Sequence, residues 1–252
     1  MISKEALNAL ARKHQTSEFP NIVREYFQHL FLSELYKLPG AEKMLFKGGT
    51  ALRVIYQSPR FSEDLDFSLF KVESRLCKEF IEGLFINVLS NINNAGIQVD
   101  LKEASPTSGG YFGLATFYAN EYQPVSVEIN ISARNGKKIS AEPDSVASDF
   151  VPTYTVLHLP QSELVEEKIF GALLNRQQPR DFYDAYFIMR KGMLNVEQKK
   201  RLAAVKEKII TSAKNINFKT ELEALLPADQ HQIIKDFSDT LKREFERQLA
   251  NI

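Results

Sequence analysis

Two aspartates one residue apart, Asp64 and Asp66, are the side chains of this sequence best suited to chemistry. They lie in Arg60-Phe61-Ser62-Glu63-Asp64-Leu65-Asp66-Phe67, where Leu65, Phe67 and Leu69 alternate with Asp64, Asp66 and Ser68 as on a half-buried strand. On a strand both carboxylates point the same way, with Cβ atoms about 7 Å apart. Such a pair can take a divalent cation, and Mg²⁺ prefers a few carboxylates together with phosphate oxygens. The same pair could equally be the solvated face of an edge strand. Upstream stands Lys47-Gly48-Gly49-Thr50-Ala51-Leu52-Arg53, between a short apolar run, Met44-Leu45-Phe46, and a short helical stretch, Ala51 to Tyr56. Adjacent glycines let the backbone approach a ligand, and a helix start offers free N–H groups to phosphate. Thr50 could add a hydroxyl, and Lys47 and Arg53 could add positive charge. Alone, the glycines read as a tight strand–helix turn, and their order is not that of a Walker loop. Strand, Gly-Gly turn, helix and then an Asp-x-Asp strand would set a phosphate cradle beside a metal site.

Glu128 is the third candidate carboxylate. It stands with Asn130 on the polar face of a segment whose other face is Val125, Val127, Ile129 and Ile131. A third acid, with triphosphate oxygens, can hold metal for in-line phosphoryl transfer; an exposed sheet face is the plainer use. Ser62, beside the carboxylates, could be modified itself or serve as a strand-entry hydroxyl. Further on, Lys168, Ala172 and Arg176 have i, i+4, i+8 spacing, one face of an α-helix. A Lys and an Arg there could meet triphosphate oxygens, one as a point charge and one as a planar fork, or could simply be solvated. Asp181, just after Pro179, could cap a helix or pair with Lys168 or Arg176.

The elements that must position these groups read as α+β. Ile22 to Leu35 has helical spacing, residues 74–94 likewise with a stop at Asn94-Ala95-Gly96, and segments 97–101, 111–118 and 125–132 read as strands. Turn chemistry marks Ser108-Gly109-Gly110 and Asn135-Gly136. From Ser162 the pattern is helical, with helices expected at 162–176, 180–191, 195–213 and 229–249. This divides the chain into a mixed lobe over 1–155 and a helical lobe over 156–252, with the boundary near 150–160.

Composition narrows the class. Of 252 residues, 32 are basic and 32 acidic, which excludes a protein coated in positive potential but not a local basic surface. One such surface is expected between Arg190 and Lys219, where nine basic residues face two acidic ones and could meet RNA phosphates. The single cysteine, Cys77, excludes an internal disulfide framework, and no apolar run approaches the roughly 20 residues of a spanning helix. The opening residues carry no signal-peptide pattern, so a cytoplasmic location is expected. His14, His29, His158 and His231 lack paired metal-ligand spacing. Phe182, Tyr183, Tyr186 and Phe187 read as core between the lobes.

The Lys47-Gly48-Gly49-Thr50 turn, Arg60-x-Ser62-x-Asp64-x-Asp66, Glu166-Glu167-Lys168 and Arg180-Asp181-x-x-Asp184, in that order, resemble the AbiEii/AbiGii nucleotidyltransferase toxins of the DNA polymerase β-like superfamily. The resemblance spans Lys47 to about Asp184. It implies a polymerase-β-like mixed sheet with flanking helices, followed by a helical lobe. It implies that Gly48, Gly49 and Thr50 hold the incoming triphosphate, that Asp64 and Asp66 bind metal with Glu128 as third acid, and that Lys168 and Asp181 are motif residues of the site. Lys47, Arg53, Ser62 and Arg176 are carried as nucleotide-side candidates. Mg²⁺ and a nucleoside triphosphate are the implied cofactor and substrate, RNA (foremost the tRNA 3′ end) the implied acceptor, and a cognate antitoxin a further partner. Glu128 departs from the commoner aspartate, and Gly-Gly-Thr from the commoner Gly-Ser. Two other readings stay open: a protein hydroxyl or small molecule as acceptor, and a nucleotide- or RNA-binding module without turnover.

Overall fold

A computed structural model of the chain describes residues 2–118, 122–133 and 139–250. Two units divide it: Met1–Gln57 with Phe61–Leu159, and Ser58–Arg60 with Pro160–Ile252.

The first unit is a mixed seven-stranded sheet with helices. Its elements in order are α1 (Lys4–Lys13), α2 (Val23–Leu35), β1 (Met44–Lys47), α3 (Gly48–Val54), β2 (Leu65–Leu69), α4 (Cys77–Asn94), β3 (Gln98–Thr107), β4 (Gly110–Tyr118), β5 (Val125–Ala133), β6 (Glu142–Val146) and β7 (Tyr154–His158). The spatial order is β3-β4-β5-β2-β1-β7-β6. β2 runs antiparallel to β1 and parallel to β5, while β7 runs parallel to β1. The chain thus brings its glycine turn, its Asp-x-Asp strand and its Glu128 strand to the middle of one sheet. The second unit is helical: α5 (Gln161–Val165), a π-helix over Glu166–Leu173, α6 (Pro179–Arg190), α7 (Val196–Ala213), α8 (Lys219–Leu225), α9 (His231–Lys235) and α10 (Phe237–Leu249).

Helix α2 is buried nearly all round although it mixes apolar with polar residues. It lies against α4, β5 and β7. Phe27 stacks on Phe117 of β4 with ring centroids 4.4 Å apart, and Phe31 meets Phe85 of α4 edge-on at 5.9 Å. Its polar residues are buried as well, and their partners hold the sheet's central elements. Gln28 donates to the Ser62 carbonyl at 3.0 Å, Arg24 reaches Glu63 at 2.8 Å, and Glu25 takes Arg53 of α3 through two bonds. Burial pushes the His29 imidazole down to about 4, so it is neutral at pH 7 and bonds Tyr154 Oη at 2.8 Å.

The alternation on β2 and β5 follows the sequence pattern, with Leu65, Phe67, Val127 and Ile129 buried on one face. Helix α4 ends at Asn94, with Gly96 at φ +81° closing it. The expected Asn135-Gly136 turn lies outside the described residues. Several elements had no such signal. β6 is Glu-Pro-Asp-Ser-Val on the sheet edge, exposed along most of its length. β7, α8 and α1 were likewise not foreseen. Phe182 and Tyr183 are core, but their ring partners, Phe218 and Phe237, belong to the same helical unit rather than to the sheet. Over 166–173 the backbone closes i→i+5 instead of i→i+4. The i, i+4, i+8 face expected of Lys168, Ala172 and Arg176 presumes α geometry; across the π turn both cations still reach α6, Lys168 at Asp184 and Arg176 at Asp181.

Truncating Phe27 to alanine removes a fully buried stacked ring and is expected to destabilise the protein by about 3–5 kcal/mol in urea unfolding. Ile86→Ala, at a position 63% exposed, is expected to stay within about 0.5 kcal/mol of the parent. Equal effects at the two positions would contradict this placement of the core.

Candidate active site

The register places the candidate residues side by side. Lys47, the last residue of β1, lies opposite Asp66, and Asp66 lies beside Asn130. The next pair back is Leu65 with Ile129, so Asp64 and Glu128 immediately precede paired residues on neighbouring parallel strands. Phe46 and Phe67 face the other way and pack at 5.6 Å. Strand alternation therefore collects Lys47, Asp66, Asn130 and Ser132 on the polar face, with Asp64 and Glu128 at its end. Asp64 and Asp66 are half-buried and Glu128 is exposed. Lys47 is buried, its ammonium donating to Ser132 Oγ at 3.4 Å.

The glycine turn is shaped by Asp66. Gly48 has φ +83°, which favours glycine, and a Cβ there would sit 2.1 Å from Asp66 Oδ2 and 2.8 Å from its Cβ. The carboxylate therefore lies against the bare Cα of the turn. Gly49 and Thr50 follow in α3, both buried. The Thr50 hydroxyl donates to the Asp64 main-chain carbonyl, pinning the entry to β2. Arg53 forms a bidentate ion pair with Glu25 and stacks on Phe61 at 3.8 Å. Its guanidinium is thus engaged with α2 and with the strand entry. The Ser62 carbonyl accepts the Gln28 amide.

Three carboxylates on one sheet face are hard oxygen donors, the chemistry Mg²⁺ takes, and the bare Gly48 is the space Asp66 occupies. In that sense the residues fit a divalent cation. Among the described residues, however, no three His, Cys, Asp or Glu side chains converge closely enough to hold a metal. Glu128 stands on a separate strand, exposed, so it joins the aspartates only by turning its flexible side chain.

In the helical unit, Lys168 donates to Asp184 Oδ2 at 2.8 Å, and Arg60 grips the same carboxylate at 2.8 and 3.1 Å. Burial alone would raise Asp184, but the charges of Arg60 and Lys168 and their hydrogen bonds outweigh it and hold the carboxyl at about 2. Asp181 is fully buried. Its Oδ2 takes Arg176 Nε at 3.0 Å and the Gln178 N–H at 2.9 Å, and its Oδ1 takes Arg176 Nη2. The expected catalytic Asp181 is thereby placed as the capping-box residue of α6, paired with Arg176. The residues missed were the partners: Glu25, Gln28 and the Arg60–Asp184 pair. Arg60 and Asp184 stand in the motifs above, but a pairing across 124 positions has no periodic signal.

The basic segment 190–219 is partly neutralised in place. Arg201 pairs with Glu166 at 2.7 Å and stacks on Phe170, and Arg190 and Lys219 lie 3.8 and 3.7 Å from Glu244 and Glu223.

The sequence model of the family described as "Nucleotidyl transferase AbiEii toxin, Type IV TA system" matches residues 30–251. This chain belongs to that family. Two Helicobacter pylori crystal structures share the fold. JHP933 has TM-score 0.60 and 20% identity, over 99% of this chain and 94% of its own. The second, assigned provisionally as a nucleotidyltransferase, has TM-score 0.53 and 20% identity, over 98% of both chains. No curated protein matches the sequence. Membership makes this AbiEii chain a nucleotidyltransferase and the toxin of a type IV toxin–antitoxin system, with a nucleoside triphosphate as substrate and a cognate antitoxin as partner. Among the described residues, no helix is long and apolar enough to cross a membrane.

Asp184→Asn in this AbiEii chain removes the counter-charge of a buried guanidinium and is expected to cost about 3–5 kcal/mol near neutral pH. A carboxyl held at about 2 when folded, against about 3.9 unfolded, stabilises fully above the unfolded value and loses that contribution as pH falls toward 2. The stability gap between parent and variant in urea should be flat from about pH 5 to 8 and shrink from about pH 4 to 2. A gap that does not move with pH would contradict the ion pair.

Proposed function

We propose that this AbiEii toxin transfers a nucleoside monophosphate from a nucleoside triphosphate to a hydroxyl of RNA, with the tRNA 3′ end as the favoured acceptor, in the cytoplasm. The observation that carries the reading is the contact of Asp66 with the bare Gly48 turn. It joins a glycine turn and an aspartate pair on one sheet face. In this reading the mixed lobe carries the transfer chemistry and the helical lobe carries supporting cations.

The acceptor oxygen forms a bond to the α-phosphorus while the bond to the pyrophosphate oxygen breaks, and the acceptor proton is released. Asp64 and Asp66, with Glu128 turned in, would hold Mg²⁺, which when bound offsets triphosphate charge and favours the attacking oxygen. Gly48 and Gly49 allow the triphosphate to approach the main chain closely. Lys47 sets a buried positive charge beside Asp66. Thr50 positions Asp64 through its carbonyl, and Arg53, through Glu25 and Phe61, fixes α3 against the strand entry; both act on the site through other groups. Ser62 leads into the carboxylate strand. In the helical lobe Lys168 is held by Asp184. Asp181 and Arg176 hold the start of α6.

The test is to incubate the protein with Mg²⁺, total tRNA and each labelled triphosphate in turn, and to resolve products on a denaturing gel. Label on RNA, lost by more than about a thousandfold in Asp64→Ala, is expected. The variant keeps the carbonyl that accepts Thr50, so its urea midpoint should stay near that of the parent. Label on protein or on a small molecule instead, or transfer retained by folded Asp64→Ala, would overturn the reading.

A further inference from the structure

A cavity of about 390 Å³ opens among the C-terminal end of α7, the segment leading to α8, α9 and the start of α10. That volume falls in the range of small-ligand sites, and the cavity lies wholly within the helical unit. Its rim carries Lys214, Lys219 and Lys235, all exposed, against one acid, Glu223, which lies 3.7 Å from Lys219 and leaves a net positive rim. Its apolar wall is Phe218 and Phe237, both buried with ring centroids 4.6 Å apart, flanked by Ile216 and Ile234.

Two details bear on the ligand. The C-terminal carbonyls of α7 would repel an anion, but Ser212 and Ala213 already accept the Asn215 and Ile216 N–H groups at 3.1 and 3.2 Å. His231, which lines the cavity, bonds the Leu226 carbonyl through Nε2 at 2.9 Å. A carbonyl only accepts, so Nε2 carries a proton. Positive charge around the opening and an aromatic and aliphatic wall together suit one phosphate-bearing nucleoside.

We propose that this cavity takes a nucleotide unit of the single-stranded acceptor RNA, its phosphates on Lys214, Lys219 and Lys235 and its base against the Phe218 and Ile234 wall. The proposal rests on the transfer reading for its choice of RNA. A strand is favoured over a free nucleotide because the three lysines come from three separate segments, and because α7, which leads into the cavity, carries further exposed lysines at 200 and 208. Lys235 extends the basic surface beyond the 190–219 segment singled out by charge alone.

The test is fluorescence anisotropy of a short labelled single-stranded RNA against salt, on the full chain. It compares the parent, the triple variant Lys214→Ala/Lys219→Ala/Lys235→Ala, and a control of equal charge loss, Lys71→Ala/Lys78→Ala/Lys102→Ala. Each single-strand phosphate neutralised adds about 0.7 to the salt slope, so the cavity variant should lose about 2 in slope and about tenfold or more in affinity. The control should lose little. All six substitutions are at exposed positions, and urea midpoints confirm folding. Equal losses in both variants, or none in the cavity variant, would overturn the proposal. So would competition by mononucleotide as strong as by RNA, which assigns the cavity to free nucleotide, or by polyglutamate, which assigns it to an acidic protein. Lysine-dependent RNA binding without label transfer would sink the transfer reading and leave the cavity standing. Transfer to RNA with unchanged binding in the cavity variant would do the reverse.

Discussion

A side chain at position 48 and the carboxylate of Asp66 cannot occupy the same space. Most of the candidate site follows from this exclusion. Because position 48 is glycine, the chain can leave β1 through the left-handed region and begin α3 with its backbone against the Asp66 oxygens. Asp66 in turn sits opposite Lys47 and beside Asn130, so the same contact registers β1, β2 and β5 around the polar face. Any other residue at 48 would carry the penalty of positive φ, about 1–2 kcal/mol, besides displacing the acid.

The turn is kept in place by charge buried around it. Glu25 on α2 takes Arg53 on α3, and Arg24 and Gln28 take Glu63 and Ser62 just before the carboxylate strand. Buried ion pairs add little net stability, yet removing one partner leaves an unmatched charge, so they fix geometry more than they raise stability. A second set, Arg60 with Lys168 on Asp184, does the same within the helical unit. Arg53 and Asp181 show how this changes the account of a motif residue. Each looks available on a helix, and each has its polar atoms engaged by neighbours.

What was legible in the sequence was whatever depends on short period. The alternation around Asp64 and Asp66 and that around Glu128 placed them on the polar side of their strands, because a strand's period of two is local. The helices from Ile22, from residue 74 and from Ser162 onward were visible for the same reason. What stayed hidden depends on distant partners or departs from the regular period. β6 lies on the sheet edge beside β7 and has no alternation of its own, and the π-helix at 166–173 departs from the regular helical period. The Arg60–Asp184 contact and the cavity behind Lys214, Lys219 and Lys235 join segments that no local window contains. Carboxylates can likewise share a sheet face without converging, as Asp64, Asp66 and Glu128 do, and spacing alone does not tell the two apart.

The most direct test of the central claim is label transfer by Gly48→Ala beside Gly83→Ala, each with its urea midpoint. A Cβ at Gly83, in α4, meets nothing within 4 Å, whereas a methyl at Gly48 falls on the Asp66 carboxylate. The account predicts a folded Gly48→Ala protein whose transfer rate falls at least about a hundredfold below that of Gly83→Ala, since a misplacement of about 1 Å is enough for such a loss. A Gly48→Ala protein that transfers at the parental rate would show that the Gly48–Asp66 contact does not set the site.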